Sequence, residues 1–168
     1  PGAETAPATS RAGAPAASPP PAAEAPARVL TGAEVLLRDR LDLVRGQRVG
    51  LITNHTGVVP DGNGGVTSTI DLLHGSPELE LVALYGPEHG LRGTAEAGEK
   101  VESGRDPVTG LPIHSLYAAG HKPTPEMLEG VDLLLFDIQD VGARYYTYVW
   151  TMALAMEAAG ENGLLFVV

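Results

Sequence analysis

Two clusters in this sequence place acid, amide and imidazole groups directly behind apolar runs. In the first, Tyr85-Gly86-Pro87-Glu88-His89-Gly90, a carboxylic acid stands beside an imidazole where the run from Leu79 to Leu84 stops. In the second, Asp137, Gln139, Asp140 and Arg144 follow the run from Val131 to Phe136. Asn54 and His55 stand in the same relation to the residues from Arg48 to Thr53. Groups of these types transfer protons and hydrogen-bond polar ligands. Their placement points the same way, because open α/β sheets hold ligands outside the carboxyl ends of buried parallel strands.

The elements expected to position these groups alternate helix and strand. Thr31 and Glu34 form a capping box ahead of a helix carrying Val35, Leu36 and Leu43, with a stop near Gly46. Strands are expected over 48–53, 79–85 and 131–138, and a fourth begins at 164–168. Such short, unbroken apolar runs suit strands covered on both faces. The glycine-rich turn Gly62-Asn63-Gly64-Gly65 leads to a short helix over 67–73, and Thr124 with Pro125 opens another of one or two turns. Residues 144–159 read as a helix with Tyr148, Met152, Ala155 and Met156 on one face. Residues 87–121 read as mostly irregular, and so long a stretch in a compact domain usually carries function or moves. The expected class is α/β, a parallel sheet flanked by helices.

Composition excludes several functions. The formal charge of -10 repels phosphate backbones, so no nucleic-acid partner is expected. With no cysteine there is neither a disulfide framework nor thiol catalysis. No apolar run approaches the roughly 20 residues of a membrane span. Gly90-Leu91-Arg92-Gly93 lacks the third glycine of a dinucleotide fingerprint, and no Walker-type Gly-Lys-Ser/Thr or serine nucleophile elbow occurs. The five histidines form no i, i+4 pair or compact ligand cluster, so no catalytic metal is expected, and with the nucleotide motifs missing no cofactor is expected either.

The first 28 residues hold seven of the 14 prolines and 11 alanines, with Arg11 and Arg28 balanced by Glu4 and Glu24. Such a segment buries too little apolar area to offset its ordering entropy and reads as a disordered tether, leaving 29–168 as the folded part. A chain that starts at Pro1 behind no initiator Met suggests export after removal of a signal. One that stops within an apolar strand reads as the N-terminal part of a longer protein.

Four blocks carry a resemblance: Gly50-Leu51-Ile52-Thr53-Asn54-His55-Thr56-Gly57, Tyr85-Gly86-Pro87-Glu88-His89-Gly90-Leu91-Arg92-Gly93, Thr109-Gly110-Leu111-Pro112 and Phe136-Asp137-Ile138-Gln139-Asp140-Val141-Gly142-Ala143-Arg144-Tyr145-Tyr146-Thr147-Tyr148. Together they resemble the NamZ-type exo-β-N-acetylmuramidases. The resemblance implies a Rossmann-like catalytic domain followed by a smaller C-terminal domain, with the site in the cleft between them. It also implies release of non-reducing terminal N-acetylmuramic acid (MurNAc) from peptidoglycan fragments such as MurNAc-GlcNAc oligosaccharides.

Glycosidic cleavage needs a carboxylic acid to protonate the leaving oxygen and a second group acting at the anomeric carbon or on water. Glu88 suits the acid role, because Pro87 restricts the backbone before it and a partly desolvated loop raises a carboxyl pKa. The resemblance points to the same residue. His89 either tunes Glu88, binds sugar hydroxyls or satisfies a loop backbone. Asp137 and Asp140 sit so that one can face the cleft while the other caps the next helix, and Asp140 is also spaced to pair with Arg144. Arg144 and Arg92 compete to bind the lactyl carboxylate of muramic acid through a guanidinium fork. Asn54, His55 and Gln139 are candidates for sugar hydrogen bonds. Tyr145, Tyr146 and Tyr148 either stack on a pyranose face or belong to the core. A non-catalytic muropeptide-binding module is the rival reading, and retention, inversion and substrate assistance all remain open.

Overall fold

The computed structural model describes residues 28–87, 91–92, 104–117, 119–143 and 145–168. The expected tether, apart from Arg28, and the candidate residues Glu88, His89 and Arg144 lie outside the described residues.

A six-stranded sheet organises the chain. Its strands are β1 (Arg48–Thr53), β4 (Glu80–Gly86), β5 (Gly104–Arg105), β6 (Pro112–Ser115), β7 (Leu133–Asp137) and β8 (Leu165–Val167), in the order β5-β6-β4-β1-β7-β8. All neighbours run parallel except the β5/β6 pair. A separate hairpin pairs β2 (Val58–Pro60) with β3 (Val66–Ser68). The helices are α1 (Gly32–Asp39), α2 (Thr69–His74) and α3 (Tyr148–Glu161).

The central strands β1, β4 and β7 are mostly apolar because both faces of the sheet are covered there. Leu51, Leu133 and Leu135 pack with Leu36 of α1 and with Ile70 and Leu73 of α2. Ile52, Leu134 and Phe136 pack on the other face with Ala155, Ala158 and Ala159 of α3 and with Leu128. A bulge in β4 lets Val49 pair with Leu81 and Gly50 with Ala83, which breaks the alternation so that Leu81 and Leu84 share a face. Gly50 is required there: a Cβ would come within 2.8 Å of the Tyr85 ring. That ring is fully buried, and its hydroxyl donates to the Met127 carbonyl at 2.6 Å.

This arrangement gives the expected α/β, Rossmann-like class. From β1 the chain builds outward through β4 and β6, then returns to β7 on the other side of β1 and continues to β8. The direction of winding therefore reverses between β1 and β7, and in such sheets the crevice at that reversal receives ligands.

Several expected boundaries move. The capping box of α1 forms, but the helix ends at Asp39, because the Arg40 backbone leaves the helical region and a separate turn of 3-10 helix spans Leu41–Leu43. Leu43 still packs against the core. The glycine-rich turn closes the β2/β3 hairpin, and Asp61 braces it by accepting from the Asn63 and Gly65 amides. The stretch expected to be irregular contains β5 and β6, and the edge it adds widens the parallel sheet. Pro125–Leu128 is a 3-10 turn, and β7 begins only at Leu133 because the Val131 amide closes that turn on Leu128 O. The last helix starts at Tyr148 rather than 144; Tyr148 and Ala155 are buried, whereas Met156 is 49% exposed and stands off the expected face.

Candidate active site at the switch point

Thr53 ends β1 directly beside Asp137, which ends β7. The Thr53 hydroxyl donates to the Asp137 carbonyl at 2.8 Å and ties the two strand ends together. Next, Asn54 folds the chain back: its Oδ1 accepts from the Thr56 amide at 2.9 Å and from the Thr56 hydroxyl at 2.6 Å. That hydroxyl in turn accepts the Gln139 amide at 3.0 Å, a second tie between the loops leaving β1 and β7. Gly57 closes the turn by donating to Asn54 O, and its own carbonyl accepts from the first residue of α2, Thr69.

Gly57 is dictated by space. A Cβ there would collide with Thr53 Oγ1 and come within 3.1 Å of Asp137 Oδ2 and 3.2 Å of Asp137 O. The small residue brings the Asp137 carboxylate against the turn. Asp140 caps a tight turn by accepting from the Gly142 amide at 2.6 Å. It does not cap α3, which starts only at Tyr148 and whose N-cap Thr147 makes no side-chain capping bond.

Three buried atoms at this crevice have no hydrogen-bond partner among the described residues: Asn54 Nδ2, Asp137 Oδ2 and Asp140 Oδ2. Buried polar atoms are nearly always paired, so a donor and two carboxylate oxygens left over on the loops leaving β1 and β7 make this crevice the candidate site, although Thr69 Oγ1, His121 Nδ1 and Thr147 Oγ1 are unpartnered as well. An apolar cleft of about 340 Å³ between α1 and the ends of β7 and β8, lined by Leu30, Val35, Phe136 and Val167, reaches Asp137 as well.

The structure brings Asn54, Asp137, Gln139 and Asp140 together through these loops. His55 and the Gln139 side chain are exposed beside them, and Tyr145 is almost wholly exposed. Tyr148 is core, as one expected alternative held. Arg92 departs from expectation. It donates through Nε and Nη2 to Asp106 at 2.8 and 2.9 Å, and through Nη1 and Nη2 to Asp71 at 3.2 and 2.8 Å. With its fork occupied by two carboxylates, Arg92 is a structural clamp between α2 and the approach to β6, not a free receptor for a substrate carboxylate. Asp106, 2% exposed, also accepts the amide and hydroxyl of Thr109. Those donors hold its carboxyl well below the usual range, with Arg92 contributing most. No three His, Cys, Asp or Glu side chains among the described residues gather in a way that could hold a metal ion.

Sequence reasoning missed Thr53, Thr56 and Gly57 as members of the site, although all three lie in the block that carried Asn54. Chemistry-bearing side chains drew attention there, while the residues that fix their geometry are a small residue and two hydroxyls. Asp71 and Asp106 were missed because their partner lies far along the chain.

The chain is similar in sequence and in fold to known proteins. A profile described as exo-beta-N-acetylmuramidase NamZ, N-terminal, matches residues 49–168. The chain belongs to the NamZ N-terminal family. It is 54% identical over 141 residues to peptidoglycan beta-N-acetylmuramidase NamZ of Bacillus subtilis (strain 168), a match covering 84% of this chain and 33% of that relative. Two crystal structures of DUF1343 family proteins from Bacteroides fragilis NCTC 9343 superpose with TM-scores of 0.70 and 0.63, at 52% and 32% identity. Each match covers 82% of this chain and 33% of the solved one. This NamZ N-terminal chain thus spans about a third of the length of its relatives.

Proposed function

We propose that the protein containing this chain is an exported exo-acting glycoside hydrolase that releases non-reducing terminal MurNAc from peptidoglycan fragments. The reading is carried by 54% identity to a peptidoglycan beta-N-acetylmuramidase. The crevice supports it, since unpartnered Asn54, Asp137 and Asp140 atoms beside the β1 and β7 ends suit a ligand dense in hydroxyl groups. In this reading Glu88, next to the end of β4, protonates the leaving oxygen. His89 and Asp140 assist at the reacting centre. Asn54, His55, Asp137, Gln139 and Tyr145 contact the sugar. Arg144 is left as the guanidinium for the lactyl carboxylate, because Arg92 is held by Asp71 and Asp106.

Product analysis on the full-length protein tests the proposal. A short MurNAc-GlcNAc oligomer should yield free MurNAc, and a GlcNAc-terminated chain should stay intact. Equal release of both sugars defeats the muramidase reading, and saturable binding of the oligomer without any product favours a muropeptide-binding module.

A further inference from the structure

The turn at the end of β1 fixes which way the Asn54 amide faces. A backbone N–H only donates, so the atom 2.9 Å from the Thr56 amide must be the oxygen. The Thr56 hydroxyl accepts the Gln139 amide and spends its single proton on the same Asn54 oxygen. Both lone pairs of Oδ1 are thereby used, and Nδ2 is left as a donor with no partner among the described residues, in a side chain that is 2% exposed. Against this turn, at the place Gly57 keeps open, lies Asp137 Oδ2, an acceptor equally without a partner. The next residues along the turn are more open, His55 being exposed and Thr56 half-buried.

We propose that Asn54 Nδ2 donates to an uncharged oxygen of the bound sugar, and that Thr56 is the positioning residue that presents it as a donor. The inference rests on the muramidase reading for the identity of the sugar. A pyranose hydroxyl suits the place because it accepts from Nδ2 and can donate to Asp137 Oδ2, so both orphaned atoms are satisfied by one kind of group. A carboxylate does not suit it, because its charge would face that of Asp137. The lactyl carboxylate of muramic acid is therefore seated elsewhere, and Asn54 reads the part of the ligand common to all hexosamines.

Three variants of the full-length protein test this, each checked by thermal melting and titrated calorimetrically with MurNAc and with its methyl ester. Asn54→Asp keeps the oxygen that Thr56 needs but turns the donor into an acceptor. It should weaken binding of the acid and the ester alike by about 10-fold to 100-fold, the usual consequence of an unpaired polar group at a closed interface. Thr56→Val leaves the backbone N–H on Oδ1 but removes the hydroxyl that shares in holding the amide, so it should weaken binding of both ligands by less than Asn54→Asp does, and Thr56→Ser should restore it. If Asn54→Asp melts far below the wild type, the Thr56→Val and Thr56→Ser pair decides between the outcomes. Unchanged affinity in Asn54→Asp or in Thr56→Val overturns the inference, as does a loss confined to the acid, which would seat the lactyl group at Asn54. A wild-type protein that binds neither ligand instead defeats the muramidase reading and the sugar assignment with it.

Discussion

A methyl group at position 57 has no room. It would meet Thr53 Oγ1 and press on Asp137, the two groups that join the ends of β1 and β7. Gly57→Ala should therefore lower stability by about 1–3 kcal/mol, the range for forcing an extra carbon into a packed site. Thermal or urea melts of the variant check this, and an unchanged midpoint would mean that the turn yields without strain. Glu88 makes a second test at the same scale. If it protonates the leaving oxygen, Glu88→Gln should reduce kcat on a glycoside with a poor leaving group by about 10²–10⁴-fold. An activated aryl glycoside needs little protonation and should lose much less, so equal losses on the two substrates would assign Glu88 another role.

Among the elements, the Asp71-Arg92-Asp106 cluster joins α2, the residues after β4 and the entry to β6. The Asp106 carboxyl is depressed by Arg92 first and Thr109 next, and a depressed acid stabilises the fold above its unfolded value, near pH 4. That contribution should be complete at neutral pH and fade as pH falls through the unfolded value toward the lower folded one. The stability difference between wild type and Asp106→Asn should accordingly shrink from about pH 6 to pH 3. A constant difference across that range would show that the Asp106 charge contributes nothing.

This cluster also shows where sequence reading stops. The apolar runs of β1, β4 and β7 and the capping box of α1 were legible because burial on two faces and a local hydrogen-bond exchange leave short-range patterns. Asn54, Asp137 and Asp140 were legible as chemistry at strand ends. The β2/β3 hairpin, β6 and the partners of Arg92 were not. Three- and four-residue strands carry too little periodicity to stand out, and a pair such as Asp71 and Arg92 is set by tertiary packing across 21 positions. Arg92 looked free for a ligand for that reason alone.

At the scale of the whole molecule, β8 pairs only with β7 among the described residues, and Leu165 and Val168 are 58% and 75% exposed. Tyr145, Trp150 and Met156 add apolar surface on and just before α3. An open strand edge beside apolar surface is a route to association. The 168-residue chain expressed by itself should sediment as oligomers or precipitate, and a monodisperse monomer with a cooperative melt would contradict this.

Ligand chemistry centred on the reversal between β1 and β7 is tested most directly by a crystal structure of the full-length Glu88→Gln protein with a MurNAc-GlcNAc disaccharide. The terminal sugar should lie outside the carboxyl ends of β1 and β7, with a neutral oxygen within hydrogen-bonding distance of Asn54 Nδ2 and Asp137 nearby. A sugar bound instead along the β5/β6 edge or at the Arg92 cluster, with the Asn54 amide still unpartnered, would contradict it.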